Sequence, residues 1–364
     1  MDAKTIAYGI LRAVFMIAGI VLLGYFLYMI RSVITYVLIA AVLALIGRPV
    51  VRFLRKRLKF ANTLAVISVM VFFMGILTGV ISLFIPLIAE QGNNLSLLDI
   101  RAFENNLEQL YREASDYFGR SFPALEEFMK DPELNLIEGL EIGFIPKFLN
   151  SVMSVLSTLS IGLFSVLFIS FFFLKDSKLL QNVILLVIPD NKEQGVINSI
   201  NKIKELLSRY FVGLLIQLSI LFLVYTVTLL LVGIENPVVI AFLCALFNLI
   251  PYLGPIIGAV IMVLLTMTSQ LGADFSSAIL PDVGWVLLGV LIGQLIDNFF
   301  SQPLIFSSSV RSHPLEIFLV ILIAGLLFGV VGMILAVPGY TVIKVILKEF
   351  LSENKLVKSL TKNL

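Results

Sequence analysis

Residues 13–30 read AVFMIAGIVLLGYFLYMI, eighteen consecutive positions without a charge. A helix rises about 1.5 Å per residue, so a run of about 20 such residues matches a hydrocarbon core about 30 Å thick. Inside lipid no water meets the backbone N–H and C=O groups, and a spanning segment must satisfy them internally. Further apolar runs lie at 33–47, 61–89, 150–174, 210–232 and 284–305. Only 14% of the chain is charged and 59% is hydrophobic, against about 25% charged for an ordinary soluble domain. The reading is an all-α, polytopic membrane protein. The first run is read as a retained helix, because Arg31 is followed at once by another apolar run and no small-residue cleavage site intervenes.

A second constraint lies in the C-terminal half. A membrane-length helix followed by a hydrophobic hairpin, opening with proline and turning on glycine, occurs at 210–268 and again at 284–346. An offset of 77 places Gln217 on Gln294, Leu218 on Leu295, Phe222 on Phe299, Pro237 on Pro314, and Ala259-Val260 on Ala336-Val337. The paired segments 238–250 and 252–268 are short. Thirteen residues reach about 20 Å, less than the hydrocarbon core. Pro251, Gly254 and Pro255 interrupt the first pair and Gly329–Gly332 the second. Two inverted repeats result, each a transmembrane helix plus a re-entrant helical hairpin, one opening to each side. Charge does not separate this from full crossings, since both arrangements leave the lysine-rich tail, 347–364, on the cytoplasmic side.

The remaining polar stretches order the chain. Residues 1–89 carry three spans, with a basic stretch from Arg48 to Phe60 that holds six cations and no acid. Short Lys/Arg-rich loops stay cytoplasmic, and that topogenic role outweighs a lipid-headgroup site here. Residues 90–149 hold twelve acids and five cations, an extracytoplasmic insert with a helix expected around 95–118. A solvated cap is its plainer role, a gating or assembly element its sharper one. The fourth span, 150–174, leads into a linker at 175–209, where Asn198–Arg209 reads as an amphipathic helix. Both termini fall in the cytoplasm, and the setting is a bacterial plasma membrane.

Several classes of function are excluded. A net charge of +2 supports no nucleic-acid partner. Cys244 and His313 are the only cysteine and histidine, which rules out an internal disulfide, a multi-thiolate metal site and a histidine-based metal site. There is no phosphate-cradling GxxxxGK[ST] loop and no paired-histidine protease motif. The reading is a transporter rather than an enzyme, without a cofactor, and driven by an ion or solute gradient.

Asp297 is the leading site candidate, an acid inside a hydrocarbon-length segment, where ionisable groups are expensive and functional by default. Gln294, Asp297 and Asn298 are placed on one helical face, a set able to carry a proton, bind sodium or hydrogen-bond a polyol. The hairpin tips, with Asn248, Pro251, Tyr252, Gly254 and Pro255 in the first and Gly329 and Gly332 in the second, are expected to meet near the midplane, where broken helices bind ions or polar solutes. Gln217, Gln302 and Glu316 are weaker candidates. GxxxG spacings at Gly254/Gly258, Gly289/Gly293 and Gly325/Gly329 offer close-packing surfaces, and a homo-oligomer among membrane lipids is expected.

The strings NLIPYLGPIIGAV (248–260), DNFFSQPLIFSSSVRSHPLEIFLVILIAGLLFGVVGMILAVP (297–338) and FFFLKDSK (171–178) resemble the autoinducer-2 exporter family, the PerM-like permeases. The Asp-Asn pair at 297–298 and the Pro-Tyr-x-Gly-Pro turn at 251–255 match the family pattern. Its Gly-Gln pair is absent, since Leu214 follows Gly213. The resemblance implies export of the quorum-sensing signal autoinducer-2 in some members and sodium–proton exchange in others. A non-transporting scaffold that recruits partners through the acidic insert is the rival from another class.

Overall fold

A computed structural model describes residues 3–91, 162–186, 188–250, 252–269, 274–301 and 313–352, with isolated positions between 109 and 117 and from 354 onward. Most of the acidic insert, Pro251 and Gln302 lie outside the described residues. The helices are α1 (Ala3–Met29), α2 (Arg31–Arg57), α3 (Asn62–Gln91), α4 (Gly162–Lys175), α5 (Leu179–Leu185), α6 (Glu193–Val232), α7 (Pro237–Phe247), α8 (Leu253–Ser269), α9 (Leu280–Ile296) and α10 (Pro314–Phe350). Among the described residues there is no strand. Among the described residues, six helical segments have the length and apolarity to cross a membrane.

Residues 1–70 and 158–180 form one compact unit. Here α2, the start of α3 and α4 bury Ala40, Val51, Val66, Val69, Val166 and Leu174. Gly47 lets α2 approach the side chains of Val69 and Leu174. Two polar ties cross the unit: Ser170 Oγ donates to the Ala40 carbonyl at 3.3 Å, and Asn62 Nδ2 to the Lys175 carbonyl at 3.1 Å. The basic stretch differs from the expected loop, because α2 runs on through Pro49 to Arg57. Its last turn holds Arg55, Lys56 and Arg57, and cations are favoured at the negative end of the helix dipole.

Residues 71–157 and 181–364 form the second unit. Its organising element is α6. The expected amphipathic helix and the fifth span are one helix of 40 residues, about 60 Å long and twice the hydrocarbon core. No helix-breaking residue separates Arg209 from Tyr210. A single buried stripe continues through Leu206, Tyr210, Leu214, Gln217, Leu221, Tyr225 and Leu229 at spacings of three, four and seven. Left-handed Gly233 ends the helix, its N–H bonding back to the Leu229 and Leu230 carbonyls.

Each hairpin packs on part of that stripe. α7 and α8 are short and antiparallel. Gly254 abuts the Phe247 carbonyl, and a Cβ on Gly258 would sit 3.0 Å from the Cys244 carbonyl. They bury Ala241, Cys244, Phe247, Ile261 and Met262 against Leu221, Tyr225 and Leu229 of α6 and Val286 and Val290 of α9. α10 is folded on itself. In a straight helix, positions 24 residues apart would lie about 36 Å apart, yet Tyr340 Oη donates to Glu316 Oε2 at 3.0 Å. The fold is at Gly329, with φ 63° and ψ −149°, a conformation open essentially to glycine alone. The turn is tighter than the expected Gly329–Gly332 break. Gly332 already lies in the returning arm, against the Ala324 carbonyl and the Phe328 side chain. The two arms bury Ile317, Ile321, Ala336 and Val337 against Tyr210 and Leu214 of α6. Pro237 and Pro314, matched in the sequence repeat, both sit in the first turn of their hairpins, where a missing N–H costs nothing.

Candidate functional site

Four polar side chains converge where α6, α9 and the tip of the first hairpin meet. Tyr225 comes from the α6 stripe and is 2% exposed. Gln294, in the last turn of α9, donates from Nε2 to the Tyr225 hydroxyl at 3.1 Å. Asn248 follows the last residue of α7 and is buried, with Nδ2 donating to the Cys244 carbonyl at 3.2 Å. Asn248 and Asp297 both lie within electrostatic range of the Tyr225 hydroxyl. Asp297 is 1% exposed.

Local structure explains why Asp297 stands there. α9 ends by widening into a π-helical turn, Asp297–Ser301, a feature that occurs frequently at functional sites. That turn packs on α6. Asp297 and Ser301 face inward, while Asn298, Phe299 and Phe300 are exposed. The expected face of Gln294, Asp297 and Asn298 is therefore divided. Successive residues lie about 100° apart around a helix, and burying position 297 turns 298 to the margin.

The Asn248 Oδ1 atom is buried without a hydrogen-bond partner among the described residues. A buried acceptor left unmet costs about 1–3 kcal/mol. Gln217 is buried two turns before Tyr225 on the same stripe. No group of three His, Cys, Asp or Glu able to hold a metal occurs among the described residues.

The other candidates are distributed differently. Tyr252, at φ 67°, packs its ring edge-on against Phe318, with centroids 5.9 Å apart. Leu249 joins the Tyr210–Ile317 cluster. The first hairpin's tip thus meets the outgoing arm of α10 at Phe318, eleven residues before Gly329. Around the Gly329 turn, Leu326, Leu327, Phe328 and Val331 are exposed. Gly254 serves the close α7–α8 approach.

The sequence reading passed over two groups. Tyr225 lay unnoticed among aliphatic neighbours, although it continues the spacing that picks out Gln217. Lys344 is the other, buried with its Nζ 3.6 Å from Glu316 Oε2 and 5.4 Å from the Tyr340 ring centre. Its signal was one cation within VIKVIL. Glu316, in the first turn of α10, is the meeting point of Lys344 and Tyr340.

Membrane-length apolar helices, with a carboxylate and amides buried among them, define a multi-pass membrane protein of the transporter class. The profile of the family described as AI-2E family transporter matches residues 13–352, and the chain belongs to that family. Similar proteins include YueF of Bacillus subtilis strain 168, 29% identical over 335 residues, which cover 88% of this chain and 84% of that protein. YtvI of the same strain is 25% identical over 337 residues, 84% of each chain. YrrI, also from that strain, is 29% identical over 221 residues, 61% of this chain and 60% of its own. By their names all three are candidate transport proteins.

Proposed function

We propose that this chain is a secondary transporter that exports a small polar solute, and that the Tyr225–Asn248–Gln294–Asp297 cluster is its binding station. The carrying observation is the burial of Tyr225, Asn248 and Asp297, with the half-buried Gln294 bonded to Tyr225, inside an otherwise apolar core. Polar groups cost free energy within a membrane, and this set presents donors and acceptors suited to a hydroxyl-rich solute. The family description and the resemblance of 248–260 and 297–338 make autoinducer-2 the cargo to test first. In this reading both hairpins re-enter the membrane as inverted repeats, the termini are cytoplasmic, the membrane is a bacterial plasma membrane, and a proton or sodium ion provides coupling. The shortness of α7 and α8 and the fold of α10 at Gly329 support the hairpin reading.

The test is uptake of labelled autoinducer-2 into inverted vesicles, with and without imposed proton and sodium gradients. Gradient-dependent uptake should fall to background in Asp297→Asn while the folded protein level is unchanged. Undiminished flux in that variant would remove Asp297 from the mechanism. Sodium–proton exchange is the second reading, favoured by the nearly complete burial of the Asp297 carboxyl. Dissipation of a proton gradient on adding sodium, without autoinducer-2 uptake, would select it.

A further inference from the structure

The first unit brings together two basic segments far apart in sequence. Arg52, Arg55, Lys56, Arg57 and Lys59 occupy the end of α2 and the turn after it, all exposed. Lys175 lies at the end of α4 and Lys178 three residues beyond it, both exposed. The hydrogen bond from Asn62 Nδ2 to the Lys175 carbonyl, 3.1 Å, holds the start of α3 to the end of α4. The positive-φ turn at Lys59 leads directly into α3. The end of α2 and the end of α4 therefore share one end of the unit. Across 48–60 and 175–178 there are eight cations and one acid, Asp176, whose Oδ1 accepts from the Lys178 backbone N–H at 3.2 Å. Among the described residues none of the five basic side chains from Arg52 to Lys59 has a carboxylate within ion-pair distance. Like charges at i, i+3 and i, i+4, as at Arg52, Arg55 and Lys56, repel one another on a helix. An external anion would relieve that repulsion.

Apolar side chains identify the anion's source. Phe53, Leu58, Phe60 and Phe172 are exposed among these cations, at the ends of helices of membrane character. A free anion or a nucleic acid would leave those rings in water. A phospholipid supplies phosphate to the cations and an acyl boundary to the rings. We propose that this end of the first unit is a binding site for anionic phospholipid headgroups, in addition to any part the cations play in orienting the chain.

The full-length protein in neutral detergent is titrated with phosphatidylglycerol, phosphatidylcholine or inorganic phosphate, and bound lipid and thermal unfolding are followed by native mass spectrometry and fluorescence. Phosphatidylglycerol should be retained preferentially and raise the unfolding temperature. Arg52→Gln/Arg55→Gln/Arg57→Gln should weaken its binding by about a hundredfold. Lys175→Gln/Lys178→Gln, at the end of the other helix, should weaken it independently and decides the matter should the triple variant not fold. Equal retention of both lipids, unchanged binding in the lysine variant, or equal stabilisation by inorganic phosphate would each overturn the proposal. A role confined to orienting the chain during insertion predicts no lipid preference in the purified protein.

Discussion

Glu316→Gln should destabilise this protein more than Lys344→Met, although both break the same ion pair. The Lys344 side chain is 3% exposed and that of Glu316 is 33% exposed. At 3.6 Å and an effective dielectric of about 20, the attraction between unit charges is about 4–5 kcal/mol. Removing Glu316 strands a buried ammonium, and orphaning one partner of a buried pair costs about 3–5 kcal/mol. Removing Lys344 leaves a carboxylate that keeps the Tyr340 hydroxyl at 3.0 Å and partial access to solvent. About 1–2 kcal/mol is expected there, the methionine restoring much of the packing. The double variant should then resemble Lys344→Met alone, with a coupling energy of about 3–5 kcal/mol, equal in size to the Glu316→Gln loss. Denaturant unfolding of the four proteins in one detergent completes the cycle. Equal losses in the single variants, or additivity in the double, would refute the reasoning, because either result means the ammonium is not relying on Glu316.

Other outcomes follow from particular contacts. Gly329→Ala should cost about 1–3 kcal/mol in thermal unfolding, since its conformation rather than any contact forbids a side chain. Gly339→Ala, at a helical position with open space, should be neutral or slightly stabilising and serves as its control. Tyr225→Phe takes from Gln294 Nε2 its hydroxyl partner and should cost about 1–3 kcal/mol, with a larger fractional loss of flux than of folded protein in the vesicle assay. Asp274, which caps the turn before α9, is held below the usual carboxylate range, first by the Ser277 backbone N–H and then by the Ser276 and Ser277 hydroxyls. A depressed acid contributes stability that is complete above its unfolded pKa and is lost as pH falls through the folded value. Unfolding followed below pH 4 should therefore show a smaller pH dependence in Asp274→Asn than in the parent.

Helix positions were legible wherever a physical limit was local. Membrane-length apolarity located α1, α2 and α6, and proline at a helix start located both hairpins. Asp297, Gln294 and Asn248 stood out because polar groups inside apolar runs are costly, and the structure gathers all three. Three-dimensional partnership was not legible. Glu316 and Lys344 are 28 positions apart, and only the reversal at Gly329 brings them together. Nothing in the order of residues said that this turn needs one glycine rather than four residues. Tyr225 was hidden because a tyrosine among aliphatics reads as packing until its hydroxyl is seen to meet an amide. The π-helical widening after Ile296 has no residue signature in QLIDNFFSQP.

The shared helix α6 gives the two hairpins a physical means of influencing one another. One packs on its Leu221–Leu229 stretch and the other on Tyr210 and Leu214. The tip of the first crosses that division through Leu249 and the Tyr252–Phe318 ring pair. Such an aromatic contact contributes about 0.5–1.5 kcal/mol beyond its buried area. Tyr252 holds a left-handed backbone that a tyrosine adopts only when its surroundings enforce it. Asn248, the polar-cluster member with the unmet oxygen, lies four residues earlier in the same tip. A solute that satisfied that oxygen would act on a segment already strained and held against α10 by one ring contact. The energy needed to release that contact is comparable to that of a single hydrogen bond, so if the cluster is the binding station proposed above, a solute there would act on the Tyr252–Phe318 contact with comparable strength.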